Sequence, residues 1–142
     1  MQELNFTALG KPKPLKRHRD NNHGGKYDPS AGDKLAWLAL IAQHKPDVPF
    51  DEPIAISINF YMPRPKTHYH YGKRSDVLKD GVPNFHTNTP DLDNLLKFVC
   101  DAMNGHFYKD DSCISGFYAW KLYSNTPRTE VSIRYDLEGA EL

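Results

Sequence analysis

The sequence predicts an α+β fold with about four strands and two main helices. Three observations carry this. Residues 4–9, 54–62 and 129–137 alternate apolar and polar side chains with a period of two. Residues 28–43 and 90–105 repeat apolar side chains every three or four positions, as helices do. Proline and glycine clusters separate these segments. At 142 residues the chain has the length of a single domain, read here as 1–142.

The first strand is expected over Leu4–Leu9, and Gly10, Pro12 and Pro14 end it. Lys11 to Lys26 is basic, with Lys11, Lys13, Lys16, Arg17, Arg19 and Lys26 against Asp20 alone, and reads as extended chain or loop. Asp28 is placed to cap the first helix and Pro29 to occupy its first turn. Leu35, Leu38, Ala39 and Ala42 set its apolar face, widened by Trp37, Leu40 and Ile41. A second strand follows over 54–62, with Ile54, Ile56, Ile58 and Phe60 on one side. Residues 64–89 show no period, and 67–89 is expected to be a mobile loop. Thr89 and Pro90 are the expected cap and first residue of the second helix, which Asn104-Gly105 closes. Strands over 113–122 and 129–137 complete the fold.

Composition excludes several classes. Hydrophobic residues are 39% and charged residues 25%, so wholesale disorder is not expected. No apolar run is long enough to span a bilayer. Residues 1–10 lack the pattern of a signal peptide. Cys100 and Cys113 stand in no metal or redox spacing, so a reducing cytoplasm is the expected location. Net charge is zero, but residues 1–90 carry +4 and residues 91–142 carry −4. Such unevenness is compatible with a polyanion partner and equally with ordinary solvated faces.

The second helix carries most of the chemistry. Leu92, Leu95, Leu96, Val99, Ala102 and Met103 form one face; Asp93, Lys97, Asp101 and Asn104 form the other. Five aspartates fall between positions 91 and 111 against two lysines. Each aspartate alone is explained by the helix dipole, by i,i+4 pairing or by a turn. The set is not, because crowded carboxylates repel unless a cation lies among them. Oxygen donors without a Cys/His pattern select Mg²⁺ or Mn²⁺ over zinc. His68 and His70 make a lone H-x-H with no third ligand near in sequence. Lys97 has two readings: neutralising Asp93 and Asp101, or facing a phosphate. Asp101 is as well explained by structure as by function. The loop tyrosines and Phe85 are candidates for stacking on unpaired bases, and equally for covering the core.

The run Pro90-Asp91-Leu92-Asp93-Asn94-Leu95-Leu96-Lys97, continued by Asp101-Ala102-Met103-Asn104-Gly105 and Tyr108-Lys109-Asp110-Asp111, resembles the RusA-type Holliday-junction resolvases. The resemblance extends to Phe6-Thr7-Ala8-Leu9-Gly10-Lys11-Pro12, Lys16-Arg17-His18-Arg19, Tyr27-Asp28-Pro29 and Phe60-Tyr61-Met62-Pro63-Arg64-Pro65-Lys66. Lys121 and Arg128 fall in that family's C-terminal hairpin region. The resemblance implies a small mixed four-stranded sheet with two main helices in a homodimer. It implies a Mg²⁺-dependent endodeoxyribonuclease, with Mn²⁺ as a substitute, cutting four-way DNA junctions in recombination and repair. It places catalysis on Asp91, Asp93, Asp111 and Lys97. Asp91, Asp93 and Asp111 are the implied metal ligands, with Asp110 as an additional candidate. Lys11, Lys16, Arg17, Arg19, Arg64, Lys66, Lys73 and Arg74 are the expected contacts to DNA backbone. Two other readings remain: a non-catalytic DNA-binding module, and a nuclease for forks or flaps.

Overall fold

A computed structural model describes residues 1–16, 19–20 and 26–140. Its main sheet has four strands: β1 (Gln2–Leu9), β4 (Ile54–Pro63), β5 (Ile114–Ser124) and β6 (Arg128–Tyr135), in the order β1-β6-β4-β5. A separate two-residue ladder joins β2 (Arg19–Asp20) to β3 (Lys26–Tyr27). β1 and β6 are antiparallel, as are β6 and β4, whereas β4 and β5 run parallel. The sheet is therefore mixed, and the fold is the α+β class read from the sequence. A parallel pair needs a long crossover. Here the crossover is residues 64–113, and it contains the acidic helix.

Alternation sets the core. Ile54, Ile56, Ile58, Phe60 and Met62 on β4 are each at most 1% exposed. They meet Phe6 and Ala8 of β1 and Val131 and Ile133 of β6 in one cluster. Helix α2 (Leu92–Met103) adds Leu95, Phe98, Val99 and Met103 to it. Leu95 and Val99 point inward as the helical period requires, and Phe98 joins them beyond the predicted face.

Three local expectations are corrected. Pro90 does not begin α2: Asp91 is its N-cap residue, Thr89–Pro90 is a cis peptide, and the helix starts at Leu92. Asp28 does not cap α1 (Ala31–Ile41); Ser30 is at the cap, and Asp28 Oδ1 accepts from the Ser30 amide at 2.8 Å. The buried side of α1 is not centred on Leu35. Leu35 and Leu40 are exposed, while Trp37, Leu38 and Ile41 face inward. The cause is the partner: α1 lies against α2 and β1, and Trp37 meets Phe98 edge-on at 6.3 Å.

Residues 64–89 make specific contacts. Backbone bonds join His70 to Val77 and Lys79 to His68. Tyr123 donates to the Asn84 carbonyl and His86 to the Lys121 carbonyl, which ties 84–86 to the outer edge of β5.

Candidate active site

Helix α2 is the scaffold of the site. Its apolar face is pinned to the sheet, so its other face must project Asp93, Lys97 and Asp101 outward, one turn apart. Lys97 Nζ lies 3.8 Å from Asp93 Oδ2. Both are more than 60% exposed, so the pair contributes little to stability. Asp101 is engaged from the other side, 3.8 Å from Lys34 Nζ on α1. Lys97 therefore pairs with only one of the two carboxylates that its spacing allows.

Asp91 stands at the N-terminal end of α2. Its carbonyl accepts from the Leu95 amide at 3.2 Å, while its carboxylate makes no capping bond. Its side chain stands at the positive end of the helix dipole and is open to solvent.

Past the helix the chain reverses tightly. Gly105 has φ +80°, a conformation that suits glycine, and donates to the Tyr108 carbonyl at 2.8 Å. This turn buries Tyr108 completely and brings its hydroxyl to the Cys100 carbonyl at 2.7 Å. Burial pushes the Tyr108 hydroxyl and the Cys100 thiol up, the latter to about 12, so both stay protonated. The turn also delivers Asp110 and Asp111 to the flank of α2. Asp110 accepts from the Ser112 amide at 3.1 Å, which holds its carboxyl below the usual range. Asp111 behaves oppositely. Local desolvation of its carboxyl, then Asp101, then Asp110 push it up, and the nearby Tyr108 hydroxyl opposes them, although the residue as a whole is exposed.

Lys97, Cys100, Asp101 and Asp111 line one open concavity of about 510 Å³ with Gly116 and Phe117 of β5. Of the predicted catalytic set, the structure thus brings Lys97 and Asp111 together. Asp91 and Asp93 lie toward the N-terminal end of the same helix face. Asp93 and Asp101 are about 12 Å apart along the axis at 1.5 Å per residue. Among the described residues no three His, Cys, Asp or Glu side chains form a closed metal cage. The donors nevertheless suit a hard divalent ion. They are carboxylates, two of them crowd a third, and Mg²⁺ binds through one or two carboxylates completed by water and phosphate oxygens.

The predicted DNA contacts divide into groups. Lys66, Lys73 and Arg74 are exposed on the 64–89 segment, and Lys11 is exposed after β1. Lys16 lies 3.5 Å from Asp33, whose carboxyl is held low chiefly by its hydrogen bond from Lys13. Arg64 is engaged internally: it donates to the Pro83 carbonyl at 2.7 Å and to Asn84 Oδ1 at 3.0 Å, and lies over the Tyr123 ring. Arg17 lies outside the described residues, and Arg19 is placed only by its backbone in β2. His68 packs edge-on against Tyr123 and belongs to no group of three metal-ligating side chains among the described residues.

Lys121 is a site neighbour to which the sequence reading gave no role. Its Nζ donates at 2.7 Å to the carbonyls of both Asn88 and Pro90, immediately before Asp91. Position 121 alone carries no signal for this, because the contact spans more than thirty residues.

A protein described as uncharacterized protein YqaN, from Bacillus subtilis (strain 168), is 34% identical over 139 residues, covering 94% of this chain and 97% of that one. The family model described as Endodeoxyribonuclease RusA matches residues 9–134, which include the sheet from the end of β1 to most of β6, both helices and the whole acidic face. The chain belongs to the endodeoxyribonuclease RusA family.

Proposed function

We propose that the protein is a Mg²⁺-dependent endonuclease that resolves four-way DNA junctions by paired nicks, acting in the cytoplasm as a homodimer in recombination and repair. The observation that carries the reading is the row Asp93, Lys97, Asp101 on one helix face with Asp111 crowded against its last member. Like charges gathered in this way favour a divalent cation, and the exposed Lys97 ammonium among them favours a phosphate.

In this reading Asp91, Asp93 and Asp111 would hold the metal, with Asp110 next to Asp111; Asp91 and Asp93 stand at the N-terminal end of the helix face and Asp111 beside Asp101, so the metal would have to draw the two ends together. The metal supplies Lewis acidity toward the phosphate and a lowered pKa for bound water. The side chains do the rest. Lys97 places positive charge beside the phosphoryl oxygens as negative charge grows there. Tyr108, kept protonated by burial, donates to the Cys100 carbonyl and so braces the turn that carries Asp111. Lys11, Lys66, Lys73 and Arg74 neutralise DNA backbone away from the cut.

The free edge of β5 supports the dimer. Residues 114–120 have no strand partner on their outer side among the described residues, and Phe117, Tyr118 and Trp120 on that strand are exposed. Open aromatic edges are usually covered. A second copy meeting β5 by β5 gives a two-fold arrangement, which matches a two-fold substrate and two opposed nicks.

The test pairs a gel shift with a nicking assay on a four-way junction, a fork, a flap and linear duplex, with and without Mg²⁺. The junction is expected to be nicked fastest and only with metal. Asp93→Asn, nearly isosteric, is expected to abolish nicking while junction binding persists. Wild-type nicking by Asp93→Asn would remove the acidic face from the chemistry. Binding without any metal-dependent nicking would leave a non-catalytic DNA-binding module.

A further inference from the structure

The chain entering Asp91 is stitched to strand β5 rather than to its own helix. Lys121 faces the helix side of the sheet, in register with Phe60 of β4. Its ammonium donates two 2.7 Å hydrogen bonds, to Asn88 O and Pro90 O. Its carbonyl accepts from the His86 amide at 3.0 Å. Tyr123, two residues on, donates its amide to Asn84 O at 2.8 Å, and its hydroxyl accepts from Asn88 Nδ2 at 3.2 Å. One short stretch of β5 thus fixes residues 84–90.

Two features set Lys121 apart from a routine brace. A cation near a helix N-terminus opposes the helix dipole, so the position is not chosen for helix stability. Among the described residues it forms no ion pair with a carboxylate; its charge goes to two neutral carbonyls one and three residues before Asp91. Asp91 in turn has no capping bond from its side chain. Its placement therefore depends on the backbone on either side: the first turn of α2 after it and the Lys121 bonds before it.

We infer that Lys121 is a positioning residue of the acidic site, holding Asn88–Pro90 so that Asp91 keeps the place from which it serves metal and phosphate. This rests on the function proposed above. An ammonium suits the task because it offers three donors on one flexible stem and can meet two carbonyls at once.

The test uses Lys121→Met, which keeps the stem and removes the donors, with Lys121→Arg as the conservative variant. Ile133→Val, a core change on a neighbouring strand, controls for a general loss of stability. Three readouts are taken: Mn²⁺ titration of the DNA-free protein by electron paramagnetic resonance, amide hydrogen exchange across 84–95, and kcat and KM on a four-way junction. Lys121→Met is expected to speed exchange across 86–92, raise the Mn²⁺ midpoint about tenfold or more, as loss of an outer support of a metal ligand does, and lower kcat with KM little changed. Lys121→Arg is expected to restore most of all three. Should Lys121→Met fail to fold, Lys121→Gln is expected to give the same changes at smaller amplitude. Unchanged exchange and Mn²⁺ midpoint in Lys121→Met, beside a wild type that binds Mn²⁺ and nicks junctions, would overturn the assignment while leaving the function intact. An equal Mn²⁺ shift in Ile133→Val would overturn it too. A wild type that neither binds Mn²⁺ nor nicks would instead overturn the proposed function, and the role of Lys121 with it.

Discussion

Lys34 on α1 lies 3.8 Å from Asp101 on α2 and also pairs with Asp28 at the entry to α1. Its side chain is only 18% exposed, so this cation is held between the helices and not offered to solvent. Asp101 therefore has a structural partner already, although it also lines the concavity with Asp111. Asp101→Asn is expected to keep metal-dependent nicking close to wild type. A loss as complete as that of Asp93→Asn would move Asp101 into the ligand set.

Asp111 links acidity to stability. Its carboxyl is pushed up first by burial and then by Asp101 and Asp110. The folded chain therefore holds this proton more tightly than the unfolded chain does. Its favourable contribution is full below the ordinary carboxylate value and is lost as pH rises through the shifted one. At neutral pH the ionised group costs only a little stability, because this exposed carboxylate is screened by solvent. Asp111→Asn should thus raise the melting temperature slightly at pH 7 and leave it unchanged near pH 3. Divalent metal should reverse the order, since ligand at a hundred times Kd adds about 2.7 kcal/mol to wild type. Thermal melts over pH, with and without Mg²⁺, check both halves.

The buried face of α2 and the exposed residues of α1 predict opposite outcomes for one substitution type. Leu95 is fully buried, so Leu95→Ala is expected to cost about 2–5 kcal/mol. Leu35 is 68% exposed, so Leu35→Ala is expected to fall within about 0.5 kcal/mol of wild type. Urea unfolding of the two variants measures the contrast.

Exposed cations on the 64–89 segment should set the salt dependence of DNA binding. Each phosphate contact contributes roughly −0.9 to the slope of log affinity against log salt. Replacing Lys66, Lys73 and Arg74 together by Gln should make that slope shallower by up to about 2.7. An unchanged slope would place the DNA elsewhere on the surface.

Charge on the β5 edge should abolish self-association. Tyr118→Glu with Trp120→Glu is expected to yield a monomer in sedimentation, with its secondary structure retained. Both side chains are exposed within one chain, so their loss opens no core cavity. A dimer of wild-type strength in this variant would put the interface on another face.

What the sequence disclosed followed local rules. Alternation at Ile54, Ile56, Ile58 and Phe60 located the central strand, because one face of that strand is buried along its whole length. The helical spacing of Leu95 and Val99 oriented α2, and with it the acidic face. The misses were non-local. Leu35 looked like core because spacing shows that a face exists, not which neighbour will cover it. Asp28 and Pro90 fit capping preferences, but Ser30 and Asp91 occupy the caps because the chain reaches each helix from a turn fixed elsewhere. The bonds of Arg64 to Pro83 and Asn84 and its place over the Tyr123 ring were not legible beside its reading as a phosphate contact, since they span nineteen residues or more. The role of Lys121 depends wholly on β5 lying beside residues 88–90.

The sheet joins its first strand to its last: β1 pairs along its full length with β6, from Gln2 opposite Tyr135 to Leu9 opposite Arg128. Every predicted catalytic aspartate precedes β5 and β6 in the chain and is synthesised before them. Until residue 135 is made, β1 has no partner, and until β5 is made, Asn88 and Pro90 have no ammonium to hold them. Contacts between chain ends so far apart form late, because closing a long loop has to precede their gain. A chain stopped before β5 would therefore carry the predicted catalytic aspartates without the strands and the Lys121 bonds that position them.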